Sequence, residues 1–133
     1  MTIAYACMIF AAFLPLIAAG LSKFGPADEA SAKTGQYDNH YPRQWLAKQT
    51  GLRARAYNAQ ANTFEALPFF YAGVIVAVLM QAPQARIDTL AVIFIVARLA
   101  YLACYLANWA ALRSIVWFIG FASVVALFFQ GSI

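Results

Sequence analysis

Arg55, Asn58, Asn62 and Glu65 are spaced three, four and three residues apart, so a helix would carry all four on one face. Arg98, Tyr101, Tyr105 and Asn108 repeat the same intervals further along the chain. Glu65 and Arg98 supply opposite charges. Asn58, Asn62, Tyr101 and Tyr105 surround them with amides and phenols that can orient a polar ligand by hydrogen bonds. The simpler reading of Glu65 with Arg98 is a polar lock between two helices. Arg113 and Ser114 open the next apolar segment. Arg113 reads either as a topology-setting arginine extending to the membrane surface, with Ser114 as a cap-like serine, or as a cation reaching back toward Tyr105 to stabilise an anion. A helix N-terminus adds to such a field.

The elements that must position these residues are apolar. Hydrophobic residues make up 64% of the 133 and charged residues only 11%, against about 25% charged in a soluble domain. Four apolar stretches, approximately 2–22, 56–80, 87–107 and 113–129, are each expected to cross the membrane as a helix. The fold class is an all-α membrane protein: one domain over 1–133, a four-transmembrane-helix bundle with a long loop over 23–55 and short later connections. Residues 2–22 read as a retained helix, since a cleaved leader would place its basic residue ahead of the apolar run and Lys23 follows it. Pro15 and Pro68 are expected to bend their helices without ending them. Arg43 to Arg55 could begin as an interfacial helix, and Gly51 argues against one unbroken helix there.

Adjacent spans run in opposite directions, which sets the depth of the two polar stripes. Glu65 lies roughly 14 Å along the helix from Ala56, and Arg98 roughly 15 Å from Asn108. The two charges therefore meet at one depth and are expected to pair, within a subunit or between subunits. An ionised side chain facing lipid would cost about 2.5–3.5 kcal/mol or more. Six of the nine basic residues fall between Lys23 and Arg55. The positive-inside rule then puts the long loop in the cytoplasm and both termini outside it. This explains the charge of +4 better than nucleic-acid binding does, and no nucleic-acid partner is expected. Cys7 and Cys104 fall near opposite faces and read as small apolar residues. No metal-ligand spacing, phosphate-binding glycine loop or paired Cys-x-x-Cys occurs. His40 reads as a surface residue, Trp109 and Trp117 as interfacial aromatics, and Gly20, Gly73 and Gly120 as places for close helix contact.

The run Arg55-Ala56-Tyr57-Asn58-Ala59-Gln60-Ala61-Asn62-Thr63-Phe64-Glu65-Ala66-Leu67-Pro68-Phe69-Phe70 resembles the second-helix signature of the MAPEG family, membrane-associated proteins in eicosanoid and glutathione metabolism. Arg98-Leu99-Ala100-Tyr101, Tyr105 and Arg113-Ser114 are similar to its third- and fourth-helix pattern, and the chain looks like a bacterial member in an inner membrane. The resemblance implies a homotrimer with glutathione as cosubstrate, bound between subunits near the cytoplasmic face. It implies that Asn62 and Glu65 hold the tripeptide, Glu65 at its amino end, with Tyr105 at the same pocket; Asn58, Arg98 and Tyr101 of the polar stripes join them as candidate binding residues. Arg113, Tyr105 and Ser114 become the candidate catalytic residues. The chain departs from well-studied glutathione users at Ala61, where they carry arginine. It departs from a prostaglandin-producing relative at Tyr101, often histidine there, and in a Tyr105–Arg113 interval one residue shorter.

Two functions compete. One is a glutathione-dependent transferase or peroxidase for hydrophobic electrophiles or lipid hydroperoxides. The other is a noncatalytic lipid-binding or scaffolding protein whose partner is membrane lipid or a hydrophobic small molecule. A transporter is disfavoured, because the four spans show no inverted repeat.

Overall fold

The computed structural model describes residues 1–132. Four long helices dominate it: α1 (Ile3–Phe24), α4 (Gly51–Leu79), α5 (Gln84–Leu106) and α6 (Ala110–Phe128). All four are long and apolar enough to cross a membrane. Two short helices, α2 (Glu29–Ala32) and α3 (Pro42–Ala47), occupy the first connection, and a 3₁₀ turn (Gln130–Ser132) follows α6. The bundle runs up and down, with α1 packed on α4 and α5, and α6 packed on α5 and α4.

Short turns enforce this order. At the α4–α5 turn, Gln81 adopts φ 55°; its N–H bonds Val78 O and the Ala82 N–H bonds Ala77 O, both at 3.0 Å. At the α5–α6 turn, Asn108 adopts φ 61°, while the Asn108 N–H reaches Tyr105 O at 3.1 Å and the Trp109 N–H reaches Cys104 O at 2.8 Å. Both are Schellman closures, in which a left-handed residue lets two N–H groups satisfy the last carbonyls of the helix. Asparagine tolerates that conformation readily; glutamine does so at a cost of roughly 1 kcal/mol.

The core lies between α1, α4 and α5, with Val124 and Leu127 of α6 closing it. Phe70 stacks on Phe94 with centroids 4.1 Å apart, and Ala4, Ala11, Val74, Ala77, Ile87 and Ala91 are buried around them. Polar groups tie the same helices: Tyr71 Oη donates to Met8 O at 3.0 Å, and Asp88 Oδ1 accepts from the Ala4 N–H at 2.8 Å, satisfying a donor at the start of α1. Two of the glycines expected at helix contacts are used so. A Cβ on Gly73 would stand 3.2 Å from Leu127, and one on Gly120 3.3 Å from Ala97. Gly20 differs, with nothing within 4 Å.

The long loop is more ordered than its composition suggests, and α4 starts at Gly51, inside the segment expected as loop. Asp28 makes this closure. Its Oδ1 caps the Ser31 N–H at 2.8 Å and accepts from Thr50 Oγ1 at 2.6 Å, so one carboxylate joins α2 to the start of α4. Gly51 is required there, with φ +57°, because a Cβ would stand 2.6 Å from Asp28 Oδ2. The interfacial helix considered from Arg43 onward is present only as α3, broken from α4 before Gly51.

Candidate functional site

The two polar stripes face each other across α4 and α5, with a different set of partners from the expected one. Arg98 is only 4% exposed. Its Nη1 donates to Asn62 Oδ1 at 3.0 Å and its Nη2 to Thr63 Oγ1 at 2.8 Å. Thr63 passes its own proton to Ala59 O at 2.7 Å. Among the described residues the ion pair found is Lys33 with Glu29 on the loop surface; Glu65 and Arg98 do not pair within the chain. The depth inferred from spacing is right, since Arg98 meets α4 within one turn of Glu65. The partner differs because Thr63 sits on the α4 face buried toward α5, whereas Glu65, about 200° further round the helix, lies exposed.

The remaining stripe residues build a ladder of rings and cations. The Arg98 guanidinium lies 4.2 Å over the Tyr101 ring. Tyr101 meets Tyr105 edge to face at 5.5 Å, and the Arg113 guanidinium lies 4.2 Å over the Tyr105 ring. Arg113 thus reaches back across the α5–α6 turn to Tyr105. Stacking holds the plane of a guanidinium while leaving its N–H edge free to donate. Ser114 is exposed and its hydroxyl donates to Ala110 O at 3.2 Å, so it does not cap α6, which begins earlier, at Ala110. Asn58 is exposed on α4. Arg55 leaves the stripe's ligand face: its Nε and Nη2 donate to Leu106 O at 3.2 and 3.1 Å, satisfying a carbonyl at the end of α5.

A cavity of about 200 Å³ opens between α4, α5 and α6. Asn62, Glu65 and Arg98 form its polar end, and Phe69, Phe94, Trp117, Phe121 and Val124 supply apolar wall. Trp117 is therefore a wall residue stacked on Phe121 at 5.3 Å, not the interfacial aromatic expected from its position; Trp109 is the exposed one, at the turn. One buried polar atom of the cavity's lining residues lacks a partner, Arg98 Nε. An unmet donor beside a recess is what a polar ligand would satisfy. Thr63 and Trp117 were not singled out by spacing. Thr63 is one residue from Asn62, but a threonine inside a helix ordinarily bonds its own backbone. Among the described residues no cluster of His, Cys, Asp and Glu is arranged to hold a metal.

The model of one family, MAPEG, matches residues 3–133. The chain belongs to the MAPEG family. Its four-helix architecture is the MAPEG fold, and MAPEG proteins are membrane enzymes that modify lipids and xenobiotics. Comparison with curated proteins and with solved structures gave no match.

Proposed function

We propose that this chain is a glutathione-dependent transferase or peroxidase acting on hydrophobic electrophiles or lipid hydroperoxides within the membrane. The observation that carries this reading is the mixed cavity between α4, α5 and α6. Asn62, Glu65 and Arg98 gather at one end of a recess whose other walls are aromatic and aliphatic. Such a recess can hold a charged peptide and an apolar molecule side by side. Family members generally use glutathione as cosubstrate. Glu65 suits the cationic amino end of the tripeptide, and the unpartnered Arg98 Nε suits a carbonyl of its amides.

The chemistry required of the chain is thiol activation. A free thiol has a pKa near about 8.5 and is mostly protonated at neutral pH. Arg113, its guanidinium 4.2 Å over the Tyr105 ring, can direct an N–H at the sulfur and favour the thiolate. The thiolate then attacks the electrophilic carbon, forming a C–S bond as the leaving group departs with its electron pair. With a hydroperoxide, sulfur attacks the distal oxygen and the O–O bond breaks. The alkoxide takes a proton and leaves as alcohol, and the sulfenic acid condenses with a second glutathione to give disulfide and water. Tyr105 is the neighbouring hydroxyl donor for the departing oxygen, since the Ser114 hydroxyl is committed to Ala110 O.

The exposure of Glu65 supports an oligomer. In one chain its carboxylate is exposed at a depth where facing lipid would cost about 2.5–3.5 kcal/mol or more. A homotrimer that covers this face removes that cost and closes the cavity, with the long loop in the cytoplasm of a bacterial inner membrane and both termini outside. The second reading, a noncatalytic lipid-binding protein, is favoured by one observation: Asn62 Oδ1 is already occupied by Arg98. Equilibrium binding of glutathione to the trimer separates the two. Saturable binding lost in Glu65→Gln supports the enzyme; co-purified lipid with no glutathione binding supports the alternative.

A further inference from the structure

The loop end of the bundle holds a second site, distant in character from the cavity. Lys23 in the last turn of α1 lies with its Nζ 4.7 Å over the Tyr37 ring. Tyr37 meets Trp45 edge to face at 5.3 Å, and the Arg53 guanidinium lies 5.6 Å from the centre of the same Trp45 ring. The sequence is thus cation, ring, ring, cation, folded from four separate stretches of chain. Arg53 is fixed further, donating from Nε to Gly25 O at 2.9 Å and from Nη1 to Gln49 Oε1 at 3.3 Å. Its Nη2 and the Lys23 ammonium hold no hydrogen bond among the described residues, and neither cation pairs with a carboxylate there. The acid that acts on Arg53 is Asp28, whose oxygens are taken by Thr50 and Ser31.

Lys23, Phe24, Gln36, Tyr37 and Arg53 line an open recess of about 370 Å³ between these groups. Its depth is set by α1. The apolar span ends at Lys23, so the recess opens where lipid headgroups begin, and Phe24 beside it is 74% exposed, pointing an aromatic anchor at the same boundary. Two preorganised cations, an amide and an apolar anchor at headgroup depth match one chemistry, a phosphate diester with acyl chains attached. Basic recesses at the ends of transmembrane helices bind anionic headgroups in this way. We infer that the recess formed by Lys23, Gln36, Tyr37 and Arg53 binds the phosphate of an anionic glycerophospholipid, with Phe24 against its acyl chains. This does not depend on the proposed reaction.

The test uses the full chain in nanodiscs of phosphatidylcholine doped with phosphatidylglycerol, and native mass spectrometry of the lipid that stays bound. Wild type should retain phosphatidylglycerol over phosphatidylcholine. Lys23→Gln should weaken that retention about fivefold, the factor expected for one basic residue at the surface, and Lys23→Arg should restore it. Free glycerol phosphate should compete only weakly; competition equal to that of the lipid would overturn the lipid as the source of the phosphate. Equal retention of the two lipids by wild type would overturn the site. So would Lys23→Gln losing glutathione binding while keeping phosphatidylglycerol, because the anion would then be the tripeptide.

Discussion

Arg98 donates to Thr63 Oγ1 at 2.8 Å, and Thr63 donates onward to Ala59 O at 2.7 Å, so a buried guanidinium is anchored to the backbone of the facing helix through one hydroxyl. Thr63→Val keeps the shape of the side chain and removes the acceptor. It should cost about 1 kcal/mol, in the range of interhelical hydrogen bonds in membranes; Thr63→Ser should cost less. A double-mutant cycle should couple Thr63→Val with Arg98→Gln more strongly than it couples Glu65→Gln with Arg98→Gln. Steric-trap or denaturant unfolding in lipid measures both cycles. A stronger Glu65 term would place those two charges in contact between subunits.

The glycine contacts make a paired prediction. Gly120→Leu should weaken folding by roughly 1–3 kcal/mol, since its Cβ alone meets Ala97 at 3.3 Å. Gly20→Ala has nothing within 4 Å to meet and should be neutral or stabilising by up to about 1 kcal/mol through helix propensity. The same unfolding assay ranks them, and equal losses would contradict the packing described.

The depth at which Arg98 meets α4 was legible in the sequence, because helical rise and opposed spans convert residue spacing into height. Which α4 residue receives Arg98 was not. Thr63 and Glu65 are two residues apart, about 200° around a helix, and that rotation depends on how α4 packs against α1 and α5. The loop was legible only as polar. The bond from Thr50 to Asp28 closes 22 residues and leaves no periodic trace, although Gly51 marked a break in helix. Trp117 reads equally well as wall or interface until the turn at Asn108 fixes where α6 begins.

Asp28 gives a pH prediction. The hydroxyl of Thr50, and then the backbone N–H of Ser31, hold its carboxyl below the usual aspartate value of about 4. A carboxyl with a lowered folded pKa stabilises the fold above its unfolded pKa and loses that contribution as pH falls through the folded one. The α2–α4 clasp should therefore persist from neutrality down past pH 5 and open only below the ordinary aspartate range. Limited proteolysis of the loop reads this directly. Asp28→Asn should expose the loop to cleavage at neutral pH, and cleavage already rising near pH 6 would contradict the assignment.

Topology is tested with single cysteines at Lys48 and Ala85, both exposed and at opposite ends of the bundle. In closed vesicles Lys48→Cys should label only from the cytoplasmic side and Ala85→Cys only from the other. The reverse result would invert the orientation and remove the cytoplasmic entrance for glutathione.

Thiolate formation is the step on which the proposed enzyme depends. Glutathione added to the intact trimer should produce thiolate difference absorbance that saturates and persists below the pKa of the free thiol. Arg113→Lys keeps the charge but loses the planar guanidinium stacked on Tyr105. It should leave glutathione binding in place while raising the thiol pKa and lowering turnover on the order of tenfold to a hundredfold. Full thiolate formation and turnover in both Arg113→Lys and Arg113→Gln would remove Arg113 from the mechanism. Wild-type trimer that forms no thiolate and binds no glutathione would contradict the enzyme reading itself.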